Sequence, residues 1–133
     1  LEVTGRVKLI WDGKWLGKGP MSAGVSHDNG YTVVIDINGL LLVLTEKRMQ
    51  ITDLQFYRCL GIEPKDKQIL AVYSSVHYRA AHDPIAERII EVDTPGLASP
   101  RLAGYPWQHL KRPIFPLDPE TFDMVEWKSM TDP

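Results

Sequence analysis

The sequence contains one cysteine, Cys59, in 133 residues. No internal disulfide can form, and a reducing compartment, the cytoplasm, is the expected setting. Long apolar runs are also missing. The longest, Leu40 to Leu44, falls far short of the ~20 residues a membrane-spanning helix requires, and no basic-then-apolar leader opens the chain. Nor is there an excess of charge. Fifteen Lys and Arg stand against 17 Asp and Glu, a formal net charge of -2, so no general cationic field exists to collect phosphates or anionic lipid. Neither a membrane nor a nucleic acid is expected as a partner. The 44% apolar and 24% charged residues are those of an ordinary soluble globular domain and exclude disorder, collagen and coiled coil. A chain of this mass buries about two-thirds of its extended surface, enough for one core. Residues 1–133 therefore read as a single domain. The sequence opens on Leu1 with strand-like pattern already under way, and it reads as a fragment of a longer protein.

Val3 to Ile10 alternates with period two, setting Val3, Gly5, Val7 and Leu9 on one face of a half-buried strand. Trp11 to Met21 carries Gly13, Gly17, Gly19 and Pro20 and reads as a turn followed by an exposed loop. Two apolar runs, Tyr31 to Ile37 and Leu40 to Thr45, flank Asn38-Gly39 and predict a β-hairpin. Thr52 and Asp53 offer oxygens to the amides of a short helix starting at Leu54, which Gly61 ends. Ile69 to Tyr73 reads as a buried strand, a helix opens near Pro84 and runs through Ile90, and Ile90 to Val92 reads as another strand. From about residue 95 to 133 the proline density suppresses helix and strand interiors. This tail is expected to wrap over the domain surface, held by Trp107, Phe115, Phe122 and Trp127. The fold class is mixed α+β, with N-terminal β-hairpins, a short helix, a strand-helix-strand unit and a proline-rich C-terminal extension.

Chemistry-bearing residues are sparse. A zinc site needs three or four converging His, Cys, Asp or Glu ligands, and His27, His77, His82 and His109 show no ligand spacing. Cys59 follows Arg58, which favours a thiolate, but Phe56 and Leu60 beside it favour a packed structural thiol. Ser74 and Ser75 precede His77, so a Ser/His dyad can be drawn, though no G-x-S-x-G elbow frames it. Gly17-Lys-Gly-Pro-Met21 only loosely resembles a phosphate loop, and a tight turn is the better reading. The segment Tyr73 to Arg79 places polar residues after a buried run, where sites commonly form. There His77 and Arg79 could hold a carboxylate or an oxyanion; equally, Arg79 could pair with Asp83 while His77 caps the loop.

Several blocks together resemble the C-terminal domain of the microcystinase C (MlrC) family of zinc metallopeptidases. They are Gly13-Lys-Trp15, Lys18-Gly-Pro-Met21, Leu42-Val-Leu-Thr-Glu-Lys-Arg-Met-Gln50 and Thr52-Asp-Leu-Gln-Phe-Tyr-Arg-Cys-Leu-Gly-Ile62, then Ser74-Ser-Val-His-Tyr-Arg-Ala-Ala81, Pro84-Ile-Ala86 and Val92-Asp-Thr-Pro-Gly96. The resemblance is colinear from about residue 5 to 118. It departs at Tyr73, where the family carries lysine, and at His82, where an aromatic or apolar residue is usual. It implies a two-domain, zinc-dependent hydrolase acting on a peptide or small amide substrate. The metal would sit in an N-terminal domain of the same polypeptide, with no metal ligand in this chain. By match to the Ser-x-x-His-[Phe/Tyr]-Arg segment, His77 and Arg79, with Ser75, are the cleft-facing, substrate-binding candidates. A surface that faces another domain should be partly apolar, and exposed Trp11, Trp15 or Tyr78 would supply it. The alternative is a noncatalytic interaction or oligomerisation module whose hairpin and tail bind another chain; a homo-oligomer stays open.

Overall fold

The Asn-Gly turn organises the first half of the chain. The computed structural model describes residues 2–94, 99 and 101–121, and in it five strands form: β1 (Arg6–Trp11), β2 (Lys14–Leu16), β3 (Ser26–Asp28), β4 (Thr32–Ile37) and β5 (Leu40–Thr45). Strands β1, β4 and β5 make an antiparallel sheet in the order β1-β4-β5, and β2 pairs with β3 in a separate ribbon. Ile37 faces Leu40 across the turn. Asn38 and Gly39 take φ angles of 52° and 97°, the positive-φ pair that a two-residue hairpin demands and that Asn-Gly supplies at least strain. The Gly39 amide donates to Asp36 Oδ1 at 2.8 Å and fastens the corner.

β1 departs from simple alternation. It begins at Arg6 rather than Val3, and the register shifts between Val7, opposite Ile35, and Leu9, opposite Val34. The bulge turns Val7 and Leu9 to opposite faces although the sequence pattern puts them on one. Trp15, expected in an exposed loop, is buried in β2. Its indole Nε1 donates to Asn29 Oδ1 at 2.7 Å, so the ring can be buried without losing a hydrogen bond.

α1 (Gln55–Cys59) starts where the Asp53 carboxylate accepts the Gln55 amide at 2.8 Å. It ends with Gly61 N donating to Arg58 O at 3.0 Å and Ile62 N to Tyr57 O at 2.9 Å. This crossed pair satisfies terminal carbonyls and folds Ile62 back onto the helix. Trp15, Val34, Phe56, Tyr57, Leu60 and Ile62 form the core, with Leu9, Trp11, Leu41 and Val43 of the sheet packed against it. Burial pushes the Tyr57 hydroxyl up to about 12.

The strand-helix-strand unit is where the structure differs most from expectation. Residues 69–73 and 90–92 are not strands. Side chains of the first segment alternate in exposure, with Leu70 against the core and Ile69 and Tyr73 outward at 87% and 76% exposure. A strand exists only through a neighbour that takes its amides and carbonyls, and neither segment belongs to a sheet among the described residues. The helix also forms earlier than expected. α2 (Arg79–His82) precedes Pro84, which instead enters a 3-10 turn, Asp83–Ile85.

Residues 1–89 and 90–133 are separate compact units. In the second, 3-10 turns occur at Leu102–Gly104 and Pro119–Thr121. The Trp107 ring lies tilted against Tyr105, centroids 5.4 Å apart, and its Nε1 donates to Leu102 O at 2.7 Å. Arg112 pairs with Asp118, which also accepts the Ile114 amide at 2.8 Å. Trp107 and Phe115 stay about half exposed, while Phe122 and Trp127 lie outside the described residues. The architecture is mixed α+β, antiparallel sheets with a few short helices.

Phe56 lies at the centre of the core, 5.8 Å from the Trp15 ring and 5.6 Å from the Tyr57 ring. Phe56→Ala is expected to lower the unfolding free energy by about 3–5 kcal/mol, read by urea denaturation. A loss below about 1 kcal/mol, the size of an ordinary surface change, would place the core elsewhere.

Candidate functional site

Ser74 builds the loop that carries the candidate residues. Its hydroxyl accepts the Tyr78 amide at 3.2 Å and is held from the other side by Gln50 Nε2 at 2.6 Å. The chain then closes one helical turn, with Arg79 N donating to Val76 O at 3.1 Å and His82 N to Tyr78 O at 3.0 Å. The serine oxygen on the Tyr78 amide fixes the chain just ahead of α2, whose N-cap residue, Tyr78, supplies no side-chain cap. Ser74 therefore holds the loop, the role that the sequence leaves open for His77, and its hydroxyl bonds the Tyr78 amide and Gln50 rather than an imidazole.

Ser75, His77 and Arg79 follow along this same segment. Ser75 and His77 are exposed, and neither side chain makes a hydrogen bond among the described residues. Arg79 is partly exposed; its guanidinium carbon lies 5.3 Å from the Tyr78 ring centroid and its Nη1 3.6 Å from Asp83 Oδ2. The anticipated Arg79–Asp83 pair thus forms. An exposed pair of this kind is worth only ~0–1 kcal/mol. Tyr78 is itself buried, and so is Trp15, while Trp11 is half-buried against the core. None of these three aromatics supplies the exposed apolar surface that was expected, because each side chain is used inside its own unit.

The other histidines lie outside this loop. His27 stacks on Trp15 at 4.2 Å. His82 is buried, with Nδ1 2.8 Å from Tyr78 O; a carbonyl can only accept, so Nδ1 carries the proton. His109 is exposed. Cys59 is half-buried against the core, with Gln55 Nε2 3.5 Å from its sulfur. No group of three His, Cys, Asp or Glu side chains among the described residues is arranged to hold a metal ion, so these residues do not fit a zinc ligand set.

The loosely phosphate-loop-like segment has an occupant from the same chain. Asp53 Oδ2 accepts Lys18 N at 2.8 Å, Gly19 N at 2.6 Å and Ser22 Oγ at 2.8 Å, while its Oδ1 takes the Gln55 amide. Gly19 is required by this close approach, since a Cβ there would stand 2.8 Å from Asp53 Cγ. Sequence reading finds Asp53 as a helix cap and misses the rest. Its three further donors lie 31 to 35 positions away, beyond any local pattern. Burial pushes the Asp53 carboxyl up, but the four donors outweigh burial and hold it below its ordinary value.

A depressed folded-state pKa stabilises the fold at pH values above the unfolded value, ~3.9, and that stabilisation is lost as pH falls through the folded value. Asp53→Asn is therefore expected to cost about 1–3 kcal/mol near neutral pH. Urea melts should show the gap from the original sequence shrinking below about pH 4. An equal gap at both pH values would remove the ionised carboxylate as the anchor.

No helix among the described residues is long and apolar enough to cross a membrane. No curated protein and no solved structure matches this chain. Residues 1–109, which span both sheets, α1 and the Ser74–Arg79 loop, match the family described as MlrC C-terminus. By that match over most of its length, the chain belongs to the C-terminal domain family of MlrC proteins.

Proposed function

We propose that this chain is the C-terminal domain of an MlrC-like zinc-dependent hydrolase that acts on peptide or other amide bonds. In this reading the zinc is held by an N-terminal domain of the same polypeptide, and the present residues contribute substrate contacts beside it. The observation that supports it is the Ser74–Arg79 loop of a chain in this family. The Ser74 hydroxyl anchors the turn through the Tyr78 amide and Gln50, and the turn carries Arg79 at the surface against the Tyr78 ring and 3.6 Å from Asp83.

Arg79 binds a substrate carboxylate through two parallel N–H donors, for which its planar guanidinium is suited. His77 is an N–H donor to the oxygen on which negative charge develops. Ser75 is a further polar contact at the rim. The Tyr78 ring beneath the guanidinium and the Ser74 hydroxyl beneath the turn are positioning groups.

The test is kinetic and uses the full-length polypeptide. Losing a charge-assisted hydrogen bond costs about 1.5–3 kcal/mol, so Arg79→Ala should lower kcat/KM by roughly ten- to a hundredfold. Zinc content, measured on the same samples, should not change. Kinetics unchanged by Arg79→Ala would take Arg79 out of the site.

A further inference from the structure

The sheet β1-β4-β5 carries aliphatic side chains on both faces, and only one face packs against the core. On the inner side, Val34 is paired with Leu9 and Val43, and all three belong to the core packing. On the outer side, Val33 lies between Ile10 and Leu44, Ile35 between Val7 and Leu42, and Ile37 opposite Leu40. All of those side chains are aliphatic. None belongs to the core packing, and Ile10 and Leu40 are 67% and 66% exposed. An antiparallel sheet with one wet face shows polar residues there, so this face is built to be covered.

Its size and chemistry identify the cover. Three six-residue strands, at about 4.8 Å between strands and 3.3 Å per residue, make a face of roughly 300 Å². A free-standing complex needs about 800 Å² from each partner, so a second copy docking here alone would bind poorly. An interface inside one polypeptide is smaller, from ~600 Å² in total, because the tether supplies the effective concentration. The absence of charge on the face demands an apolar partner surface, such as a helix stripe or a second sheet.

We infer that the outer face of β1-β4-β5 is the docking surface for the N-terminal domain of the same polypeptide, which covers it with an apolar surface. This inference rests on the proposed reading of the chain as one domain of a larger hydrolase. It adds the place of contact, on a different part of the unit from the Ser74–Arg79 loop.

Hydroxyl-radical footprinting with mass-spectrometric readout at Ile10, Leu40 and Leu44 needs no substitution. It is run on the 133-residue chain and on the full-length polypeptide, with the exposed Lys65 turn as reference. The expected result is labelling of the face in the chain alone and about tenfold slower labelling in the full-length protein, as an interface core excludes water. Equal labelling in both proteins overturns the inference. So does a chain that sediments as a dimer with its face already shielded, since a second copy would then be the cover. A full-length protein that shields the face yet hydrolyses no amide bond would remove the proposed function and leave the docking surface standing.

Discussion

β4 carries aliphatic side chains on both sides, Val34 on one and Val33, Ile35 and Ile37 on the other, and the arrangement of the first unit follows from satisfying them. Val34 points into the core between Leu9 and Val43, while Val33, Ile35 and Ile37 point the other way. In a sheet with one wet face, hydrophobic alternation by itself fixes the register, since a slip of one residue would expose the buried set. A slip of β4 would exchange Thr32, Val34 and Asp36 for Val33, Ile35 and Ile37 against the core. The Asn38-Gly39 turn, fastened by the Asp36 carboxylate on the Gly39 amide at 2.8 Å, fixes the same register. On the opposite edge, the bulge between Val7 and Leu9 lets β1 give an aliphatic side chain to each face.

The second organising element is a buried carboxylate held by hydrogen-bond donors. Asp53 joins α1 to the Gly17–Ser22 loop through amide and hydroxyl donors alone. The Gly-rich segment presents its amides as an anion-binding nest would, and the anion belongs to the protein itself. That bond network holds the loop after β2 in place. With it goes the approach of Trp15 to Phe56, their ring centroids 5.8 Å apart. α1 and the β2–β3 ribbon are thereby tied into one core with the sheet.

Local chemistry was legible and distant chemistry was not. The hairpin follows from Asn38-Gly39 between two β-branched and aliphatic runs, and α1 from Asp53 before it and Gly61 after it. Each of those signals acts within a few residues of its effect. The Arg79–Asp83 pair is legible for the same reason, being four apart. By contrast, β2 and β3 are short strands of three residues whose pairing depends on each other, and the bulge in β1 depends on β4. Segments 69–73 and 90–92 carry strand-like composition, and neither joins a sheet among the described residues. Composition sets the readiness of a segment to pair, and only a neighbour makes it a strand. For the candidate site, the sequence located the loop of Ser75, His77 and Arg79 but could not show that Ser74 is the residue that shapes it.

Both proposals, a covered sheet face and a loop that contacts substrate, call on another domain of the same polypeptide. Zinc content and amide hydrolysis, measured on the full-length polypeptide beside the 133-residue chain, test that assignment most directly. The expected result is firmly held zinc and turnover in the full-length protein and neither in the chain. Zinc held tightly by this chain's own side chains, or a full-length protein with neither metal nor activity, would contradict it.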